Sequence, residues 1–119
     1  MNRAARGSKA YLSGVTAEEV AERLYLQRGA EVLARRMRNE GGEIDLIVSE
    51  REVVVFVEVK ARKRREDAAY ALSSRQMARL SAAAELWMAA KGRTGDMRFD
   101  VVLVDGQGAA EIIENALSF

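Results

Sequence analysis

Asp45, Glu58 and Lys60 are the residues best spaced to do chemistry in this chain. Asp45 lies in Gly42-Glu43-Ile44-Asp45-Leu46-Ile47, and Glu58-Val59-Lys60 closes the apolar run Val53-Val54-Val55-Phe56-Val57. Side chains two apart on a strand share a face, so Glu58 and Lys60 go with Val54 and Phe56, while Val55, Val57 and Val59 take the other face. Two charges on a half-buried face are costly unless they pair or bind something. Paired carboxylates beside an amine suit one reaction well. The carboxylates hold a divalent ion, the ion activates a water and touches a phosphate oxygen, and the amine orients the water or steadies the phosphate charge. Asp45 and Glu58 supply the carboxylates if their two strands pair as a hairpin. The Val59 carbonyl, between the two charged side chains, is a further candidate ligand, and Lys60 is the amine.

Composition narrows the alternatives. The chain has 119 residues, 49% of them apolar, a length that fits one domain folding without help. Cysteine and histidine are both absent. Disulfides, thiolate metal sites, cysteine nucleophiles, Ser-His triads and the usual zinc ligands are therefore excluded. Carboxylate oxygens suit hard cations, above all Mg²⁺ or Mn²⁺. No apolar run reaches membrane-spanning length, and the basic start MNRAARGSKAYLSG lacks the apolar centre of a signal peptide, so the expected partners include no membrane and the expected location is cytoplasmic. The net charge of +1 is uninformative, but Arg35, Arg36 and Arg38 cluster, and Lys60, Arg62, Lys63, Arg64 and Arg65 cluster more densely.

The elements that must position these residues can be read from pattern. Residues 1–13 form a basic arm without apolar period, and 14–119 one domain. Thr16 with Glu19 fits a capping box, opening a helix that runs to about Arg28 and stops at Gly29. Residues 31–34 read as a short strand, Asn39 to Gly42 as a turn, 43–48 as a strand, 49–52 as a hairpin turn and 53–60 as a long strand. Its unbroken valines suit a central strand covered on both faces. A basic loop at 61–72 leads to a second helix, capped at Ser73 or Ser74 and ending near Lys91-Gly92. Met77, Leu80, Ala84, Leu86, Trp87 and Met88 form its apolar face. Strands at 99–104 and 110–114 flank the turn Asp105 to Gly108. The order helix, three strands, helix, two strands predicts an α/β fold with a central mixed sheet flanked by helices.

Asp45, twelve intervening residues and Glu58-Val59-Lys60 match the pattern of the PD-(D/E)XK nuclease superfamily. The longer string Gly-Gly-Glu-Ile-Asp-Leu-Ile with Val-Phe-Val-Glu-Val-Lys resembles the bacterial YraN family, also designated UPF0102, small proteins related to archaeal Holliday-junction resolvases. Gly14, Glu18 and Ala21, Arg98 to Val102, and Ile113 to Ala116 with Phe119 extend the likeness over most of the chain. The resemblance implies a restriction-endonuclease-like core and a Mg²⁺- or Mn²⁺-dependent endonuclease acting on DNA, structured or branched. It puts Asp45, Glu58 and Lys60 in catalytic positions. Glu18 becomes a further metal-supporting residue, with Glu19 as its rival, and Glu43 and Gln76 supporting residues at the site. Gln76 stands where the family commonly has Lys. Arg62, Lys63, Arg64, Arg65 and Arg75 would border the path of a phosphate backbone. Related resolvases act as dimers, which leaves room for a homodimer.

Blander readings stand beside these. From the residues alone, a structural ion pair at a sheet edge accounts for Asp45, Glu58 and Lys60. Helix capping accounts for Glu18 and Glu19, and a solvated loop for the basic run. Arg35, Arg36 and Arg38 read as surface, and Trp87 and Tyr25 as core. At the level of function, the alternatives are a nucleic-acid-binding module with little or no turnover and a structural or protein-interaction domain.

Overall fold

The computed structural model describes residues 15–62 and 74–116. The first helix among the described residues, α1 (Ala17–Gln27), begins at Thr16, whose hydroxyl accepts from the Glu19 amide while the Glu19 carboxylate accepts from the Thr16 amide. That is the capping box expected from sequence. Val20, Ala21 and Tyr25 form its buried stripe. Gly29, at φ +87°, turns the chain out of the helix, where a side chain would be strained.

Among the described residues five strands follow: β1 (Glu31–Asn39), β2 (Gly42–Glu50), β3 (Val53–Ala61), β4 (Met97–Val104) and β5 (Ala110–Ile113), with α2 (Ser74–Ala90) between β3 and β4. They form one sheet in the order β1-β2-β3-β4-β5. Only β3 and β4 run parallel; the other neighbours are antiparallel. A parallel pair needs a long crossover, and the segment containing α2 supplies it. The valine-rich β3 takes the middle of the sheet, as its composition predicts. A mixed sheet between two helices is the α/β arrangement implied by the resemblance.

The helices cover opposite faces. Val20, Ala21 and Tyr25 of α1 pack with Leu46, Val48, Val55, Val57, Val102 and Val104. On the other side Leu80, Ala83, Ala84, Trp87 and Met88 of α2 pack with Ile44, Ile47, Val54, Phe56 and Phe99. Phe56 meets Trp87 edge-on at 5.9 Å between ring centroids and stacks on Phe99 at 5.5 Å. This aromatic group fixes β3 two residues before Glu58, and truncating Phe56 to Ala would cost about 3–5 kcal/mol.

Several boundaries differ from expectation. The first strand runs to Asn39 rather than 34, because Arg35, Arg36 and Arg38 point outward on an edge strand and hide its period. The β2–β3 turn is only Arg51-Glu52, with φ of 52° and 70°. Leu86 is 43% exposed and lies off the buried face of α2 that sequence assigned it to. Its neighbour Ala83 takes part in the core instead. The arm at 1–13, Gly14 and Phe119 lie outside the described residues.

Candidate active site

The site arises where two strands part. β2 and β3 pair from Glu50↔Val53 to Leu46↔Val57 and no further, whereas β3 continues beside β4 to Ala61↔Val104. Residues 42–45 therefore leave β3 just where Glu58 begins. The side-chain alternation of β2 slips at the same point. Ile44 packs toward α2, yet Leu46, two residues on, packs toward α1. Asp45 occupies the slip and lines cavities on both sides of the sheet.

Val59 bridges the opening. The Val54 and Arg62 amides donate to β4-side carbonyls of Asp96 and Val104. Backbone groups alternate sides along a strand, so those of Val59 face β2. Its amide finds no β2 carbonyl there and donates to Asp45 Oδ2 at 2.8 Å. Its carbonyl faces the same gap.

Asp45 and Glu58 meet across this gap, close enough for each carboxyl to perturb the other. Burial is the largest cause pushing the Asp45 carboxyl above the usual range. The Val59 amide draws it back, and the charge of Glu18 pushes it further up. Glu58 is also raised, first by burial and then by the charge of Asp45, against the pull of Lys60. Lys60 Nζ lies 3.4 Å from Glu58 Oε2, with its side chain only 11% exposed. The alternation expected from sequence holds: Val54 and Phe56 face α2, and Val55, Val57 and Val59 face α1.

A cavity of about 450 Å³ opens over the pair on the α2 side. Gln76 and Arg79 contribute from α2, Arg38 and Asn39 from the end of β1, and Glu43 from β2. Gln76 thus lines this cavity, while Arg75 beside it is exposed and does not. Glu43 sits at the rim, ion-paired with Arg38. Arg62 is exposed at the end of β3, its guanidinium donating to the Ala61 carbonyl at 2.8 Å. Lys63, Arg64 and Arg65 lie outside the described residues.

Glu18 does not join the pair. It accepts from Arg36 at 3.1 Å on the α1 side, where it shares the second cavity with Asp45. Glu19 is spent in the capping box, so Glu18 is the helix glutamate nearer the site. Among the described residues no three carboxylates gather closely enough to hold one ion together, against the expectation that Glu18 would complete the set. The donors present still suit a hard cation. Two mutually repelling, half-buried carboxylates and a carbonyl facing their gap are short of positive charge. Mg²⁺ commonly takes one or two carboxylates and fills its shell with water and phosphate oxygen.

Sequence reasoning missed three features. Arg79 lies one turn beyond Gln76, and that i,i+3 spacing was the available signal. Arg36, with φ 47°, stands opposite Asp45 in the β1–β2 register and holds Glu18. The third is a partly buried network elsewhere on the sheet. Tyr25 donates to Asp100 at 2.7 Å, and Arg98 joins Asp100 and Glu50, each at 2.9 Å. Arg28 joins Glu50 at 2.8 Å and Glu114 at 2.6 Å. Burial and the Asp100 hydrogen bond push the Tyr25 hydroxyl far above its ordinary range. Tyr25 is core, as expected, but also the tie between α1 and β4.

Known proteins supply further constraint. Residues 17–104 match the model of a family described as "Uncharacterised protein family UPF0102". A UPF0102 protein of Cereibacter sphaeroides is 47% identical over 114 residues, covering 94% of this chain and 97% of its own. One from Ruegeria pomeroyi is 48% identical over 115 residues, covering 95% and 94%. One from Rhodopseudomonas palustris is 45% identical over 97 residues, covering 80% and 74%.

Proposed function

This chain belongs to the UPF0102 family, and we propose that it is a divalent-metal-dependent endonuclease that hydrolyses phosphodiester bonds of DNA, with structured or branched DNA as its substrate class. The observation that carries the reading is the meeting of Asp45 and Glu58 at the parted end of β2 and β3, with Lys60 against Glu58. The PD-(D/E)XK spacing and the open cavity above the pair support it.

Asp45, Glu58 and the Val59 carbonyl would hold Mg²⁺ or Mn²⁺. When bound, the cation supplies a water of lowered pKa and draws charge from the phosphate. The Val59 amide fixes the direction of the Asp45 carboxylate. Lys60 holds Glu58 in place and offers a half-dry ammonium for charge developing on the phosphate. Gln76 is a hydrogen-bonding group on the cavity wall, suited to phosphate or base edges. Glu18 acts from outside the ligand set, adding negative charge near Asp45. Exposed Arg62 and Arg75, with Lys63, Arg64 and Arg65, supply the electrostatic approach for the backbone. No helix among the described residues is long and apolar enough to cross a membrane, and the proposal extends to a cytoplasmic protein. Symmetric cutting of a branched substrate needs two sites, so it also extends to a homodimer.

A second reading is a nucleic-acid-binding module with little turnover, favoured because no three carboxylates gather among the described residues. A panel of labelled duplex, nicked, forked and four-way DNA, incubated with Mg²⁺ or Mn²⁺, separates the two. Cleavage that Asp45→Asn and Glu58→Gln abolish supports the nuclease. Salt-sensitive binding without cleavage supports the module. Cleavage that survives both substitutions removes the site.

A further inference from the structure

We infer that Arg79 is the seat for a backbone phosphate in the cavity over Asp45 and Glu58, a role that rests on the nuclease reading of that cavity. Arg79 and Gln76, three residues apart on α2, share its wall with Leu80, and both carboxylates line the same space. The β1–β2 turn approaches α2 closely beside Arg79: a Cβ built on Gly41 would fall 2.5 Å from the Ala83 amide nitrogen. The β1–β2 turn thus presses directly on α2. Asn39 fastens the contact, donating to the Ala83 carbonyl at 3.0 Å while accepting from the Gly41 amide at 2.8 Å.

Among the described residues two arginines line this cavity, and of them Arg38 is taken up by Glu43. Arg35, Arg36 and Arg38 on β1 are engaged by Glu22, Glu18 and Glu43. Arg28 and Arg98 are engaged by Glu50, Glu114 and Asp100. Arg79 makes no ion pair among the described residues, although it lines a cavity holding two carboxylates. Asp45 is turned toward the Val59 amide and Glu58 toward Lys60, so neither neutralises it. A guanidinium with no anion, facing the place where a phosphodiester must lie to reach the pair, is suited to take its non-bridging oxygens in a two-pronged bond. The Arg38–Glu43 pair also lines this cavity.

The test compares the parent with Arg79→Gln and Arg79→Lys, and with Asp45→Asn as a site control. Affinity for a labelled DNA duplex is read without divalent ion across a salt series, and cleavage of the DNA panel is read with Mg²⁺ or Mn²⁺. Arg79 is exposed, so unchanged thermal melting serves as the folding check. Arg79→Gln should weaken binding about tenfold at low salt and lower the salt slope by about one. Arg79→Lys should recover most of the affinity but not the cleavage rate, because a point charge lacks the fork. Affinity and slope equal to the parent's, with cleavage still lost in Asp45→Asn, would overturn the role of Arg79 and leave the site standing. Cleavage retained in Asp45→Asn, or a parent that neither binds nor cuts DNA, would overturn both.

Discussion

The Val59 amide donates to Asp45 Oδ2 at 2.8 Å across a gap where β2 has already left β3. This bond replaces a rung of the sheet ladder with a carboxylate. It keeps Asp45 beside Glu58 although the strands that carry them diverge.

The cost of that arrangement should be visible as pH-dependent stability. Asp45 and Glu58 both have raised pKa values, burial being the main cause. A carboxyl raised on folding contributes stability in acid, below its ordinary range, and loses it as pH rises through the raised value. Without divalent ion, Asp45→Asn should melt a few degrees above the parent at pH 7, and the gap should close toward pH 4. Thermal melts across that range check it. Added Mg²⁺ or Mn²⁺ should raise the melting temperature of the parent and leave the variant unmoved.

The opposite sign is expected at Glu50. Burial alone would raise its pKa, but hydrogen bonds from Arg98 and Arg28 win and hold it low. A depressed carboxyl gives stability above its ordinary range, lost as pH falls through the folded value. Glu50→Gln should cost about 2 kcal/mol at pH 7 in urea unfolding, because Arg98 and Arg28 lose their shared partner. The difference from the parent should shrink in acid.

How far the sequence discloses this molecule depends on the range of the interaction. The capping box of Thr16 and Glu19 spans three residues, and the valines of β3 announce a strand covered on both faces. Asp45 and Glu58 could be brought together on paper because a short turn forces their strands to pair. The Asp100 network could not. Its members come from α1 and its C-cap, β2, β4 and the segment after β5, with Tyr25 and Asp100 75 positions apart, and no local period links them. Glu50 looked like part of a turn, yet it is 7% exposed at the centre of that network. Glu18 was expected at the metal, but Arg36, on a strand whose length the arginines concealed, holds it.

The β2–β3 turn stores strain that substitution should release. Arg51 and Glu52 both adopt positive φ in a two-residue turn that favours Asn-Gly. Glu52→Gly should stabilise the protein by about 1 kcal/mol, since the glycine meets no Cβ clash at φ 70°. Chemical unfolding reads this directly, and a loss of stability would contradict it.

Lys60 should matter to cleavage more than to binding. Its ammonium is largely buried against Glu58, so it adds little to the field that attracts DNA. Lys60→Met keeps the stem and should slow cleavage about a hundredfold while DNA affinity changes little. Equal losses in rate and affinity would assign Lys60 to binding alone.

Titration of Mn²⁺ into the protein by calorimetry tests the central claim without requiring the right DNA. One ion should bind per chain, and Asp45→Asn and Glu58→Gln should each weaken it at least about tenfold, as expected when one of two carboxylate ligands is lost. A parent that binds no ion, or one whose binding is the same in both variants, would contradict the site described above.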